Sequence, residues 1–484
     1  MIRYRLEAIV QLASPLHIGG LDRLTVAGLH DETQVKEIAR DSKGVRTIPG
    51  SSIRGALRAF LRKAGQLDDV VWGSTEAASL ITVDDVSVPV SVPSSSVDGN
   101  GVDRVTGAAA PRYLFRQEVI PAGTSLTLTF SARSTEEMAE AVHNQVGLMA
   151  RALKDPTFSL GARGRVGWGR VKGGTSTVLR VGRWDTTSLK SLANYVEHRS
   201  DWVHGQFHPK DPSADSWWTD IGLLTPGPSS QRPSVRWTIG WKPRAGLMVQ
   251  DHDENGNVVS SRVIDGRHVL PGSAIKGALR ARASRIVRTA LAAQGDLLPK
   301  WDALSLTDQL ESDHVLVREL FGSTERAGRL TVADCYAAGA STTARSHNSL
   351  DRWSGGTRKH HRWDTKAAID VQWDPIVLDV DLTELAVGAQ RACHVLLGLV
   401  IAEICTGHLA LGGHGTRGLG LLNVAEVKVS GSELGIANFT LNAINGQFPA
   451  ETLIKKLRHV WEVDAVDTST VSWLDVLQVQ EVEP

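Results

Sequence analysis

Cysteine is nearly absent from this 484-residue chain: Cys335, Cys393 and Cys405 are the only three, and no two form a CxxC pair. So sparse and odd a set excludes a disulfide scaffold and a four-cysteine zinc site, and it fits a reducing compartment. An excess of either charge is also missing. Lysine and arginine total 53, as do aspartate and glutamate. This balance argues against a free-standing protein that grips nucleic acid by overall charge, but not against basic strips inside a larger assembly. Long apolar runs are lacking too. The opening MIRYRLEAIVQL has no signal core. The most apolar stretch, Ala392 to Gly407, carries His394 and Glu403 and falls short of the ~20 residues that span a bilayer. A soluble, cytoplasmic protein with no membrane partner is expected. With 42% hydrophobic residues, a chain of this length predicts two to four domains, each with its own core.

Glycine, by contrast, is plentiful at 46 residues, and its clusters recur. Ile48-Pro-Gly-Ser-Ser-Ile-Arg-Gly-Ala-Leu-Arg58 is echoed by Leu270-Pro-Gly-Ser-Ala-Ile-Lys-Gly-Ala-Leu-Arg280. Trp72-Gly-Ser-Thr-Glu76 is echoed by Phe321-Gly-Ser-Thr-Glu325, and Asp103-Arg-Val-Thr-Gly107 by Asp351-Arg-Trp-Ser-Gly355. Finally, Gly161-Ala-Arg-Gly-Arg-Val-Gly-Trp-Gly169 matches Gly412-Gly-His-Gly-Thr-Arg-Gly-Leu-Gly420 with its glycines at identical spacing. Four matches in the same order read as a tandem duplication. Unit one is expected over 1–195, a Pro/Ser/Gly-rich linker over 196–232, and unit two over 233–484. Adjacent Trp217 and Trp218 in the linker suit packing on a neighbouring domain better than ligand binding. The extra length of unit two falls in an insertion at 289–312.

Each unit opens with period-two alternation, through Ile2, Tyr4, Leu6, Ala8 and Val10 and through Val235, Trp237, Ile239 and Trp241, as half-buried strands require. Helices are predicted over Ile53–Ala64, with Ser51 or Ser52 near the N-cap and Gly65 at the end, and over Ser273–Leu291. Strands follow at Leu126–Ala132 and Ile376–Leu382, then long helices over Thr135–Leu153 and Thr383–Gly407. The glycine clusters come next, and Leu422–Val429 reads as a further strand. The fold class is α+β: tandem modified ferredoxin-like (RRM-like) domains, each with a projecting hairpin, or thumb, at about 86–115 and 336–374.

The IPGSSIRG and LPGSAIKG segments place a turn and a helix N-terminus ahead of basic side chains, a combination suited to phosphate. Arg54, Arg58 and Arg62 share one helix face. Lys276, Arg280 and Arg288 repeat the stripe, with Ser284 in the gap and Arg282 and Arg285 beside it. One basic stripe is usually a solvated face; two copies in the same place favour a polyphosphate backbone. The glycine clusters are neither a GxxxxGK[ST] loop nor a βαβ dinucleotide turn. They carry Arg163, Arg165 and Arg170 in one copy, and His414 and Arg417 in the other, on backbone that can approach a ligand closely. The second excursion is rich in Arg, His and aromatic residues, among them Arg345, His347, Arg352, Arg358 and Trp363, and suits single-stranded nucleic acid. Adjacent His360 and His361 lack a matching carboxylate pattern for a metal. Asp22 and Asp31, with His17 and His30, lie in a glycine-bearing loop before the first basic helix. A carboxylate there suits a cation that activates water or a ribose hydroxyl, or it is an ordinary surface aspartate.

These motifs resemble those of the RAMP superfamily, and specifically the backbone subunits of type III CRISPR effector complexes, with two units fused as in type III-D-like systems. The resemblance rests on Leu16-His-Ile-Gly-Gly20, Ile48–Gly55, Asp103–Ala108, Gln117-Glu-Val-Ile-Pro-Ala122 and the Gly161–Gly169 loop. It implies an RRM-like palm with a β-hairpin thumb that binds CRISPR guide RNA, shapes the guide–target duplex, and works beside other Cas subunits. RNA contacts are then expected from His17, Arg54, Arg58, Arg62, Arg104, Arg163, Arg165, Arg170, Lys276, Arg280, Arg288, Arg352 and Arg417. The family's loop aspartate, used with a divalent cation (Mg2+ or Mn2+) to cut target RNA, is best matched by Asp31, with Asp22 second. Unit two has no clear counterpart, since the flanks of Asp253 do not match. A non-catalytic backbone subunit is the first alternative. A metal-independent nuclease that processes guide precursors is another, for which His17 or His30 would act as general acid or base.

Overall fold

The computed structural model describes residues 1–25, 34–107, 109–185, 188–197, 234–252, 259–264, 266–293, 301–339, 341–383, 385–431 and 438–462. Trp217 and Trp218 lie outside them. The chain divides into two compact units, Met1–Gly99 with Leu114–Ser230, and Asn100–Tyr113 with Gln231–Pro484.

The core of the first unit follows from alternation. Ile2, Tyr4, Leu6, Ala8 and Val10 are all buried, so the strand Ile2–Gln11 presents one apolar face. It lies between Val178–Asp185 and Ser125–Ser134, and Ile81–Val83 pairs on the far side of the latter; every pairing is antiparallel. The helix Gly50–Lys63 buries Ile53, Leu57 and Leu61, and Ala139–Lys154 buries Val142, Val146, Met149 and Leu153. Sheet and helices share one apolar cluster. Each such aliphatic side chain contributes about 1.5–3 kcal/mol, so Leu57→Ala would cost about 2–5 kcal/mol through the cavity it leaves.

The second unit uses the same strand order: Leu422–Gly431, Ser234–Pro243, Ile376–Asp381, Leu330–Val332, with Phe439–Asn442 added beyond Leu422–Gly431. The helices Gly272–Ala293 and Val387–Thr406 belong to its apolar cluster. Val387–Thr406 is long and apolar enough to cross a membrane, yet it is mostly buried in this core. Its apolarity has a local reason: Ala450–Glu462 packs on its other side. There Gly398 leaves room for Leu457, whose Cδ2 would stand 2.5 Å from an added Cβ. The molecule is a mixed α+β structure with several small sheets.

Beside each main sheet stands a smaller one that holds the projecting hairpin. In the first, the order is Gly19–Thr25, Gln34–Ile38, Ala109–Val119, Ser95–Val102, with Val35 parallel to Arg116. In the second, the order is Gln250–His252, Val259–Ser261, Thr357–Ala368, Thr342–Leu350, with Val259 parallel to Thr365. The strand Gly19–Thr25 replaces what reads in sequence as a loop, because the sheet it joins is completed by distant segments. The first basic helix begins at Gly50 with Pro49 as its cap, and neither Ser51 nor Ser52 caps it. The helix expected from Thr135 begins only at Ala139. The insertion of unit two contains a 3-10 turn, Trp301–Ala303, and a short helix, Leu306–Glu311, capped by Ser305.

Candidate nucleic-acid interface

The two glycine loops share one backbone. Leu160 N donates to Gly169 O at 2.9 Å, and Leu411 N to Gly420 O at 2.9 Å. Arg163 (φ 64°) and His414 (φ 59°) occupy the left-handed region, where a side chain costs about 1–2 kcal/mol. Such strain persists only where the surroundings impose it. Here Ala162 N donates to His17 O and Gly413 N to Met248 O, so each loop is pinned to the segment that follows its unit's first strand.

Each loop brings an arginine to its hairpin, from the left-handed position itself in the first unit and from three residues beyond it in the second. The Arg163 guanidinium donates to Gln117 Oε1 and stacks over Phe115 (5.2 Å) and Trp168 (4.9 Å). Gly99 admits the Phe115 ring, whose Cζ would lie 2.5 Å from any Cβ at position 99. In the second unit Arg417 stacks over Trp363 (5.4 Å), and His347 stacks on the same ring at 5.5 Å. Arg417 also donates to Nδ1 of His414. Burial, then the charges of Arg417 and His347, lower the His414 pKa, which keeps that nitrogen an acceptor. Arg165 within the first loop and Arg170 just after it are half-buried. Arginine on an aromatic face offers both a phosphate partner and a stacking platform for a base. Motif reasoning does not single out Phe115 or Trp168; the signal in the sequence is an aromatic five residues after Arg163, and it needs the hairpin to complete it.

The basic helices are placed differently from one another. Arg58 and Arg62 both reach Asp69, at 3.1 and 3.2 Å, and Arg62 is 62% exposed; pairs this solvated are weak and exchangeable. Arg54 donates to Trp72 O. In the second unit Lys276 is buried and donates to Leu330 O at 2.8 Å. Arg280 pairs with Asp313 at 2.8 Å, and Arg288 lies 3.8 Å over the Trp301 ring. Arg104, in the first hairpin tip, is 5% exposed and bound to Asp313 at 2.6 Å, whereas Arg352 in the second tip is exposed. The helix N-termini, expected to take phosphate, instead receive carboxylates: Gly50 N donates to Asp85 and Gly272 N to Asp334, each at 2.7 Å. A carboxylate satisfies an orphan amide and complements the helix dipole as an anion would, which corrects that expectation.

His17 is buried, and its Nδ1 lies 2.7 Å from Glu118 O. A carbonyl only accepts, so Nδ1 carries the proton. Burial lowers the His17 pKa, assisted by Arg163 and Lys36. Glu118 in turn binds Ile38 N, Arg40 and Ser94. Asp31 lies outside the described residues, as does the side chain of Asp22, whose backbone falls in Gly19–Thr25. Asp253 is also outside them. Among the described residues no three His, Cys, Asp or Glu side chains converge as a metal site.

Comparison with curated proteins finds no match. The family model of the RAMP superfamily matches residues 9–172 and 247–423, well over half of the chain. Each matched block takes in one basic helix and one glycine loop, consistent with two units of that kind. The chain belongs to the RAMP superfamily.

Proposed function

We propose that this protein is a backbone subunit of a cytoplasmic CRISPR ribonucleoprotein effector, built from two modified ferredoxin-like units that hold guide RNA and shape the guide–target duplex. The family supports a CRISPR-associated RNA-binding subunit. The observation that carries the finer reading is the repeated arginine–aromatic stack at the hairpin root, Arg163 on Phe115 and Trp168 and Arg417 on Trp363. Phosphate contacts are assigned to these arginines, to Arg165 and Arg170, and to the exchangeable pairs of Arg58 and Arg62. The test is to co-express the chain with the genes beside its own, purify on a tag carried by this subunit, and sequence the RNA that accompanies it. Repeat-derived guides of uniform length are expected; an intact assembly free of RNA would overturn the proposal.

Target-RNA cleavage is assigned to Asp31 with a divalent cation, Mg2+ or Mn2+. The second reading is a non-catalytic backbone, favoured by the lack of a clear counterpart of Asp31 in the sequence of the second unit. A complex carrying Asp31→Ala separates the two: loss of one cut with target binding retained supports cleavage there, and an unchanged cut pattern supports the structural role. Guide-precursor processing through His17 is disfavoured, because that ring is buried and one nitrogen is held by Glu118 O.

A further inference from the structure

Both hairpin tips close with one turn. In the first, Asp103 Oδ1 accepts from the amides of Val105 and Thr106 and from the Thr106 hydroxyl, while Gly107 N donates to Asp103 O. In the second, Asp351 Oδ1 accepts from the amides of Trp353 and Ser354 and from the Ser354 hydroxyl, while Gly355 N donates to Asp351 O. Gly107 and Gly355 share φ 67°. Arg104 and Arg352 therefore hold the same place on the same rigid loop, and Trp353 stands where Val105 does.

The first tip is engaged within the second unit. Both Nη atoms of Arg104 donate to the Asp313 carboxylate, at 2.6 and 3.1 Å, and the Asp313 side chain is fully buried. Gln309 accepts from Arg104 N at 3.4 Å, Tyr113 Oη meets Thr307 Oγ1 at 2.6 Å, and the Arg104 guanidinium lies 5.9 Å from the Trp301 ring. Residues 301–313, which overlap the second half of the insertion of unit two, thus form a receptor for such a tip: a dry carboxylate beside an aromatic ring. The second tip has no counterpart receptor among the described residues. Arg352 is exposed, Trp353 is 99% exposed and Leu350 is 65% exposed. Tryptophan and arginine on a preformed turn are the residues that anchor protein interfaces, and a rigid loop gives up little entropy on docking.

We propose that the tip Asp351–Gly355 is a plug that docks into a neighbouring protein subunit, one presenting a buried carboxylate for Arg352 beside an apolar pocket for Trp353. The carboxylate follows the 301–313 receptor, and the apolar pocket is a further requirement set by Trp353, because Val105 at the matching place is 46% exposed. A base could stack on Trp353, but the matching arginine in this chain selects a carboxylate in a water-free pocket, and Asp351 sets a negative charge at the base of the turn. A second copy of the chain is a poor occupant, because its 301–313 segment already holds its own first tip. The inference rests on the reading of the chain as one subunit of an assembly.

The experiment is photocrosslinking in the purified complex with Trp353→p-benzoylphenylalanine, the crosslinked peptide being identified by mass spectrometry. The expected product joins the tip to a peptide of another subunit that contains Asp or Glu. Arg352→Glu should lower its yield at least tenfold, and reversing the partner's carboxylate to lysine should restore it. Crosslinking to RNA, to a second copy, or to nothing overturns the proposal, as does a yield indifferent to Arg352→Glu. RNA in the same preparation reports on the assembly reading separately: guide RNA without the protein crosslink sinks only the plug, and a preparation without guide RNA or partner subunits sinks both.

Discussion

Three residues show how local environment sets the size of an effect. His394 is buried in the second core against Trp237, 5.0 Å between rings, and burial pushes its pKa down to about 3. The neutral ring belongs to the folded state, so its contribution is complete above pH 6.5 and is lost as pH falls from there towards 3. The unfolded chain takes up the proton first, and stability should drop by roughly 1 kcal/mol per pH unit over that window. His394→Phe should flatten this acid limb, measured as urea midpoint against pH. Gly169 and Gly107 make the second contrast, at φ 69° and 67°. An added Cβ at Gly169 would stand 1.9 Å from Leu160 O, whereas Gly107 has nothing within 4 Å. Gly107→Ala should therefore cost only the left-handed penalty of about 1–2 kcal/mol. Gly169→Ala should cost clearly more, because backbone must move; equal melting temperatures for the two would refute this.

At the scale of elements, the receptor segment and the glycine loops carry the next expectations. Asp313 neutralises both Arg104 and Arg280 in a buried site. Asp313→Ala leaves two buried cations facing each other and should cost about 3–5 kcal/mol. Arg104→Ala leaves the Asp313–Arg280 pair intact and should cost less than half as much, by denaturant titration. For the glycine loops, Arg163→Ala and Arg417→Ala should each weaken RNA binding and reduce the salt dependence of log K by about 1 for every phosphate that is no longer neutralised. Arg163→Lys keeps the charge but gives up the planar stack on Phe115 and Trp168. It should retain the salt slope and still weaken affinity, which a pure charge interaction would not do.

At the scale of the whole molecule, the proposed RNA binding by a chain with no net charge requires that its arginines be arranged, not accumulated. Period-two and helical spacing are enough to locate the main strands, the two basic helices and the buried face of each, because these depend on residues near one another in sequence. The repeated DRVTG and DRWSG tips are visible too, and so is the glycine-loop pair. What sequence spacing does not reveal is which basic residues face outward. Lys276 is buried on Leu330 O, Arg104 and Arg280 share Asp313, and Asp85 and Asp334 occupy helix ends that read as free. Each of those partners lies tens of residues or more from the group it satisfies. Alternation and turn chemistry are local, so the mixed α+β plan is already written in the order of the amino acids. Which cations stay exposed and which hairpin tip is left open follow from folding alone, because burial and pairing depend on segments that meet only in the native structure.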